Sequence, residues 1–458
     1  MIKSKIKDFT QGNITRQLLI FALPLFLSNL LQVVYNMVDM IVVGNVLGKV
    51  GLSAVSVGGD LSNLLTFLAM GFSGAGQVII AQYVGMNRKD KIGKFVGTMC
   101  GFLFVCAIAI SVIAIVFQDG LLVLLNTPSE AFEGAKAYSL ICMSGMVFIY
   151  GYNLVSAILR GMGDSMRPFV FISVAAVLNL VLDLLFVVKL NMGAGGAALA
   201  TVISQATSFI GCTIYLVIKR QEFELNVKIK NFIRWEKESF VELIKLGVPM
   251  AIKFGAVHIS KLFVNSWING YGLAVSAFSG VANKIASVSY LVATALSTAG
   301  STMVGQNIAA KKHDRVKGVL KNLAVMTIIV STILSLLIIL FPTQIFGLFT
   351  DDNSADVLAL ANGFIPIAVL LFYGSALRAI MNALINGSGD YITNFATAIL
   401  DGIVMRIGLA LLLGLALNMQ HYGFWLGDAL AGYTPFVIGL IFYFSGKWKK
   451  GKIYNKGK

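Results

Sequence analysis

Along the chain, apolar residues form long unbroken stretches separated by short polar ones. The stretches fall at about 15–43, 53–86, 92–118, 134–159, 168–190, 193–218, 238–268, 273–309, 315–341, 357–386, 392–417 and 421–446. Each reaches the roughly 20 residues that a helix needs to cross a hydrocarbon core. The apolar positions are continuous rather than alternating, which predicts helices and not the strands of a barrel. Several stretches exceed the minimum, so those helices tilt or run past the bilayer. The pattern therefore predicts an all-α polytopic membrane protein with 12 transmembrane helices.

Composition agrees. The 458 residues are 57% hydrophobic and only 12% charged, with a mean hydropathy of +0.83. Soluble domains are about 45–50% apolar and about 25% charged, so a soluble multidomain enzyme is excluded. A disordered chain is excluded too, since disorder needs low hydrophobicity. A net charge of +15 could suggest a nucleic-acid partner, but its distribution argues for a membrane instead. With the N-terminus in the cytoplasm, one set of alternate loops carries 27 Lys and Arg residues, in the groups Lys3–Arg16, Arg88–Lys94, Arg160–Arg167, Lys219–Lys237, Lys311–Lys321 and Lys447–Lys458. The other set carries 3, namely Lys49, Lys136 and Lys189. That bias predicts a multi-pass protein of the cell (cytoplasmic) membrane with both termini cytoplasmic and an even number of spans. Cys100, Cys106, Cys142 and Cys212 lie inside apolar runs without metal-ligand spacing and read as small apolar filler. The first 17 residues are polar and precede no cleavage signal, so no removable signal peptide is expected.

The chain also repeats itself. Residues 20–100 resemble 244–324: Pro24 matches Pro249, Ala75-Gly76 matches Ala299-Gly300, Gln82 matches Gln306, and Asp90-Lys91 matches Asp314-Arg315. Gly161-Met162-Gly163-Asp164 matches Gly387-Ser388-Gly389-Asp390, and Gly196–Ala200 matches Gly427–Ala431. Each half holds six helices, so the repeat is parallel. The organisation expected is a cytoplasmic N-terminus 1–14, an N-lobe 15–218 (TM1–TM6), a cytoplasmic linker 219–237, a C-lobe 238–446 (TM7–TM12) and a basic cytoplasmic tail 447–458. Two like bundles suit a transporter that alternates access to a midplane site.

Ionisable residues inside a span are costly and are functional candidates. Tyr35 and Asp39 sit at i and i+4 on the first helix, and Asn179 and Asp183 at i and i+4 on the fifth, so each pair shares a face. The sixth helix carries Thr201. If these helices meet, two carboxyls, an amide and two hydroxyls converge. Two close carboxylates in a low dielectric cannot both carry charge cheaply, so such a pair takes up a proton or coordinates Na⁺. Asp60, Lys284 and Arg406 are candidates for lining a central cavity, although Asp60 suits the outer surface equally. Lys253, Lys261, Arg378 and Asp401 complete the charges within spans, and Asp401 and Arg406, on one helix, form a candidate structural pair. Under the repeat Asp60 falls on Lys284 and Asp39 near Val264, so acid marks the first half and base the second. Pro24 interrupts the first helix before Asp39 and permits a bend there. The sequence has no HExxH, GxSxG or P-loop, so no enzyme is expected.

The stretches ALPLFLSNLLQVVYNMVDMIVVGNVLG, GFSGAGQVIIAQYVG, LRGMGDSMRP and STMVGQNIAA together resemble the multidrug and toxic compound extrusion (MATE) transporters over nearly the whole chain. The resemblance implies two six-helix lobes forming a V. It implies H⁺- or Na⁺-coupled antiport of amphipathic organic cations and drugs, with no cofactor beyond the coupling ion. It assigns coupling-ion binding to Asp39, Asn179 and Asp183, with Tyr35 and Thr201 in support, and helix bending to Pro24. The NorM-type acids of helices 7 and 10 are missing here, which places the chain nearer the DinF-like and bacterial multidrug-export branch. A lipid-linked oligosaccharide or lipid flippase of the same superfamily is the alternative. A major-facilitator transporter is less well matched, because its loop signature is one residue out of register around Asp90.

Overall fold

The computed structural model describes residues 4–228, 230–347 and 355–450; Lys3, Lys452, Lys456 and Lys458 of the loop-charge count lie outside them. Twelve helical rods follow the twelve apolar stretches. The first two form a single hydrogen-bonded run, Ile14–Gly85, broken at Gly48 with φ 64° and ψ −160°. This region is open to glycine and strained for other residues, so α1 (14–47) and α2 (49–85) part there. The others are α3 (Lys89–Val116), α5 (Met166–Lys189), α6 (Gly193–Ile218), α7 (Lys237–Asn269), α8 (Leu273–Ala309), α9 (His313–Leu340), α10 (Ala355–Ser388), α11 (Tyr391–Ala416) and α12 (Gln420–Phe444). The remaining rod, α4, is Phe132–Ser144 plus Met146–Gly161, bent by 50° at Gly145. Among the described residues there is no strand.

Among the described residues, eight helical runs, or nine with the bent pair, are long and apolar enough to cross a membrane. The rods that fall short of that standard are α7 and α8, the helices that carry Lys253, Lys261 and Lys284. Their polarity marks them as helices that cannot turn every face to lipid. The protein is thus a multi-pass membrane protein.

The chain divides into two compact units. One comprises the residues up to Asp8 and Leu23–Ala251, the other Phe9–Ala22 and Ile252–Lys458. The divisions fall beside Pro24 and two residues past Pro249, not at the expected lobe boundaries. Both prolines lie inside helices, where each removes a backbone donor and frees the helix to bend. The first turns of α1 therefore group with the second unit, and the first turns of α7 with the first. Residues 9–15 are tied down within the second unit: Phe9 N–H donates to Gln306 Oε1 at 2.8 Å, Asn307 Nδ2 donates to the Phe9 carbonyl at 3.1 Å, and Thr15 Oγ1 donates to Asn322 Oδ1 at 2.5 Å.

The basic linker packs on the first unit. Gly93, Gly97 and Gly101 recur every four residues on α3 and so share one face. A side chain on them would strike Asn226, Asn231 and Phe232. Lys89–Glu224 at 2.6 Å, Lys91–Glu238 at 3.0 Å and Lys94–Glu236 at 3.3 Å fasten the same segment. Hydrogen bonds from Lys219 and Lys5 hold the Glu222 carboxyl below its usual range.

The sequence repeat recurs in the geometry of each unit. Added methyl groups would meet the Gln77 carbonyl and Ile80 at Gly161, and the Ser301 carbonyl and Val304 at Gly387. They would meet Met99 at Gly76 and Leu323 at Gly300. Asn87 and Lys311 share the left-handed conformation at φ 57° and 58°, as do Gly163 and Gly389 at 87° and 69°. All these pairs are separated by 224 or 226 positions, the offset read from the sequence.

Candidate functional site

Three helices of the first unit assemble a polar cluster. On α1, one helical turn separates Tyr35 from Asp39, and on α5 one turn separates Asn179 from Asp183. Asn179 and Asp183 are buried, at 2% and 0% exposure, while Asp39 is half-buried. With its nitrogen facing α1, the Asn179 amide donates to Asp39 Oδ1 at 2.8 Å and to Oδ2 at 3.3 Å. The Asp39 and Asp183 carboxyls lie against each other. No N–H or hydroxyl donor of a described residue reaches either oxygen of Asp183. Tyr35, Asn179 and Thr201 line one narrow cleft together with Ser204 and Gln205 of α6. The Tyr35 hydroxyl lies near the Gln205 side chain, and Tyr138 of α4 lies within electrostatic reach of Asp39.

All five residues singled out for this site from the sequence, Tyr35, Asp39, Asn179, Asp183 and Thr201, are therefore neighbours. Gln205, Ser204 and Tyr138 were not anticipated. Gln205 lies one turn after Thr201, so the i, i+4 rule that paired the residues of α1 and α5 would have found it. Directly after Asp183, α5 winds into a π-helix over Leu184–Lys189, a distortion frequent at functional sites.

The arrangement has a definite chemistry. Two carboxyls in contact attract each other only with a proton between them or a cation on them. No Lys, Arg or His forms an ion pair with either acid among the described residues. The cluster offers carboxyl, amide and hydroxyl oxygens, which are ligands for hard cations.

The other expected residues are placed differently. Asp60 and Lys284 are exposed. Arg406 is 2% exposed. It donates to Asp428 and, at 3.2 Å, to Asp401, which also accepts from Arg378 at 2.6 Å. Asp401 and Arg406 are five apart, about 140° around a regular α-helix. The π stretch Leu400–Met405 lowers the rotation per residue and brings them together. Pro24 is buried in the middle of a continuous helix, with the Ser28 hydroxyl bonded back to its carbonyl at 2.8 Å. A larger cleft in the first unit is lined by Phe104, Tyr150, Phe209 and other apolar side chains, with Arg220 its only charge. It lacks the acceptors that a cation needs.

The MatE family profile matches residues 24–185 and 249–416, one match in each half of the chain. The chain belongs to the MatE family. "Probable multidrug resistance protein YoeA" of Bacillus subtilis (strain 168) is 29% identical over 451 residues, 97% of this chain and 96% of that protein. "Probable multidrug resistance protein YpnP" of the same organism is 28% identical over 452 residues, 99% of this chain and 100% of that one. Among solved structures, a MOP superfamily transporter from Pyrococcus furiosus Vc1 (DSM3638) superposes with a TM-score of 0.88 at 21% identity, covering 98% of both chains. The fold is that of the MATE transporters. As a MatE protein the chain is a membrane transporter and not an enzyme.

Proposed function

We propose that this MatE protein is a cation-coupled antiporter, driven by H⁺ or Na⁺, that exports amphipathic organic cations and drugs across the cell membrane by alternating access. The observation that carries this reading is the Asp39–Asn179–Asp183 cluster, in which two touching carboxyls have no basic partner. Such a pair binds and releases a cation without breaking an ion pair each time. The multidrug names of its relatives from Bacillus subtilis support the substrate class. The bias of basic loops supports cytoplasmic termini.

In this scheme the lobes 15–218 and 238–446, joined by 219–237, open alternately to the two sides. The coupling ion reaches Asp39 and Asp183 from outside. Neutralising the cluster changes what α1 packs against, and α1 bends at Pro24, 15 residues or about 22 Å from Asp39. Tyr35 and Thr201 hold the ion-binding oxygens in place. Substrate is released outward and the ion inward.

The test is ethidium efflux from proteoliposomes, with a pH gradient and a Na⁺ gradient imposed separately. Efflux under one gradient supports the antiporter and names its ion. Absence of efflux under both would overturn the reading and turn attention to lipid-linked substrates.

A further inference from the structure

The second unit holds a basic cluster that the coupling scheme does not use. Lys253 and Lys261 lie on α7, eight residues or about 12 Å apart along the axis. Arg378 comes from α10 and Arg406 from α11. Two carboxylates answer these four cations, and both are already engaged by guanidinium groups: Asp401 by Arg378 at 2.6 Å and Arg406 at 3.2 Å, and Asp428 by Arg406. Lys253 donates to Asn382 Oδ1 at 2.5 Å, a neutral acceptor. Lys261 is exposed, and among the described residues it has neither a hydrogen bond nor an ion pair. It stands within electrostatic reach of Arg378, Arg406 and Asp401.

The cluster therefore carries two more cations than acids, on helices of a membrane protein. Unanswered charge there is costly unless an anion or water meets it. The arginines are occupied and Lys253 is bonded to Asn382, so Lys261 is the donor left over. An ammonium is a compact charge with three N–H donors and suits a single anionic group approaching end-on.

We propose that Lys261 binds an anionic group, such as a carboxylate, carried by an amphipathic substrate. This rests on the export reading and narrows it: substrates bearing an acid group are bound in preference to otherwise identical compounds without one. Rhodamine 110 and rhodamine 123 are a matched pair, since they share one cationic ring system and differ as free carboxylate and methyl ester. Binding of each to the purified full chain is read by fluorescence anisotropy in detergent, with empty micelles subtracted. The wild-type protein binds rhodamine 110 about tenfold more tightly, the size of one charge-assisted hydrogen bond. Lys261→Met binds the two dyes equally, and Lys261→Arg keeps most of the preference.

Equal affinities in the wild-type protein would overturn the site, a result that holds even if a variant fails to fold. So would an equal loss for both dyes in Lys261→Met, which marks a structural residue. A preference erased when phosphatidylglycerol, but not phosphatidylcholine, is added to the micelles would assign the site to a lipid headgroup and overturn the substrate claim. Binding in detergent needs no gradient. Equal dye affinities beside gradient-driven ethidium efflux would sink this site and leave the export reading intact; a tenfold preference without efflux would do the reverse.

Discussion

The two units are built on one repeat and treat buried acid in opposite ways. In the first, Asp39 and Asp183 touch each other and no cation pairs with them. In the second, Asp401 lies between Arg378 and Arg406, and Asp428 is bonded to Arg406. The position equivalent to Asp39 is Val264, 3% exposed in an apolar core with Phe278, Phe364 and Trp425. The matching core of the first unit is filled by small residues such as Ala54, Ala135, Ala194 and Ala197. The same scaffold thus carries a pair of acids with no cation partner among the described residues in one copy and a chain of ion pairs in the other. An acid matched by arginine is held in place, whereas an acid facing another acid remains available to a proton or a metal ion.

The sharpest break of this comparison comes from neutralising the acids one at a time. Asp39→Asn should reduce gradient-driven ethidium efflux to background while leaving expression and thermal stability near wild type. Normal efflux by that variant would remove Asp39 from the coupling site. Asp401→Asn should act the other way round. It leaves the buried Arg406 and the half-buried Arg378 without their shared partner, a loss of up to about 3–5 kcal/mol for a broken buried pair, read as a large drop in melting temperature in detergent. If the two variants fall equally in stability, the distinction between exchangeable and structural acid fails.

A smaller effect tests the repeat itself. Gly161→Ala and Gly387→Ala press a methyl group against the Gln77 and Ser301 carbonyls at 2.8 and 2.7 Å. Each should cost about 1–3 kcal/mol by overpacking, and by similar amounts. Widely different costs in chemical denaturation would show that the two copies are not packed alike.

The smallest effect is expected in the linker. The Glu222 carboxyl is depressed by Lys219 and Lys5, so its contribution is present above the ordinary glutamate range and is lost as pH falls through the lowered value. Hydrogen exchange at residues 219–225, corrected for the intrinsic rate, should quicken on acidification, and Glu222→Gln should exchange faster already at neutral pH. A linker indifferent to both changes would show that its ion pairs contribute nothing to its docking.

Much of this was legible in the chain. Helix number and extent followed from apolar runs, because a bilayer leaves the backbone few other ways to satisfy its hydrogen bonds. Asp39, Asn179 and Asp183 stood out because charge in an apolar run is costly and their i, i+4 spacing put each pair on one face. Gln205 and Tyr138 did not stand out, since uncharged polar residues are common in spans and carry little penalty. Arg378 was visible as a charge, but its partner Asp401 lies 23 residues away on another helix. The Asp401–Arg406 spacing does not fit a regular helix, and only the π stretch brings the two together.

The sequence by itself determined the helices, the repeat, the charge bias of the loops and the acid-first, base-second asymmetry of the halves. These depend on local hydrophobicity and on spacing along a single helix, which the chain carries residue by residue. Tertiary structure alone decided which charges meet. It paired Asp39 with Asp183 across two helices, enclosed Asp401 between arginines from two others, and left Lys261 unpaired. Partner choice depends on how helices distant in sequence pack, and a carboxylate costs the same to bury alone whatever the packing will bring beside it.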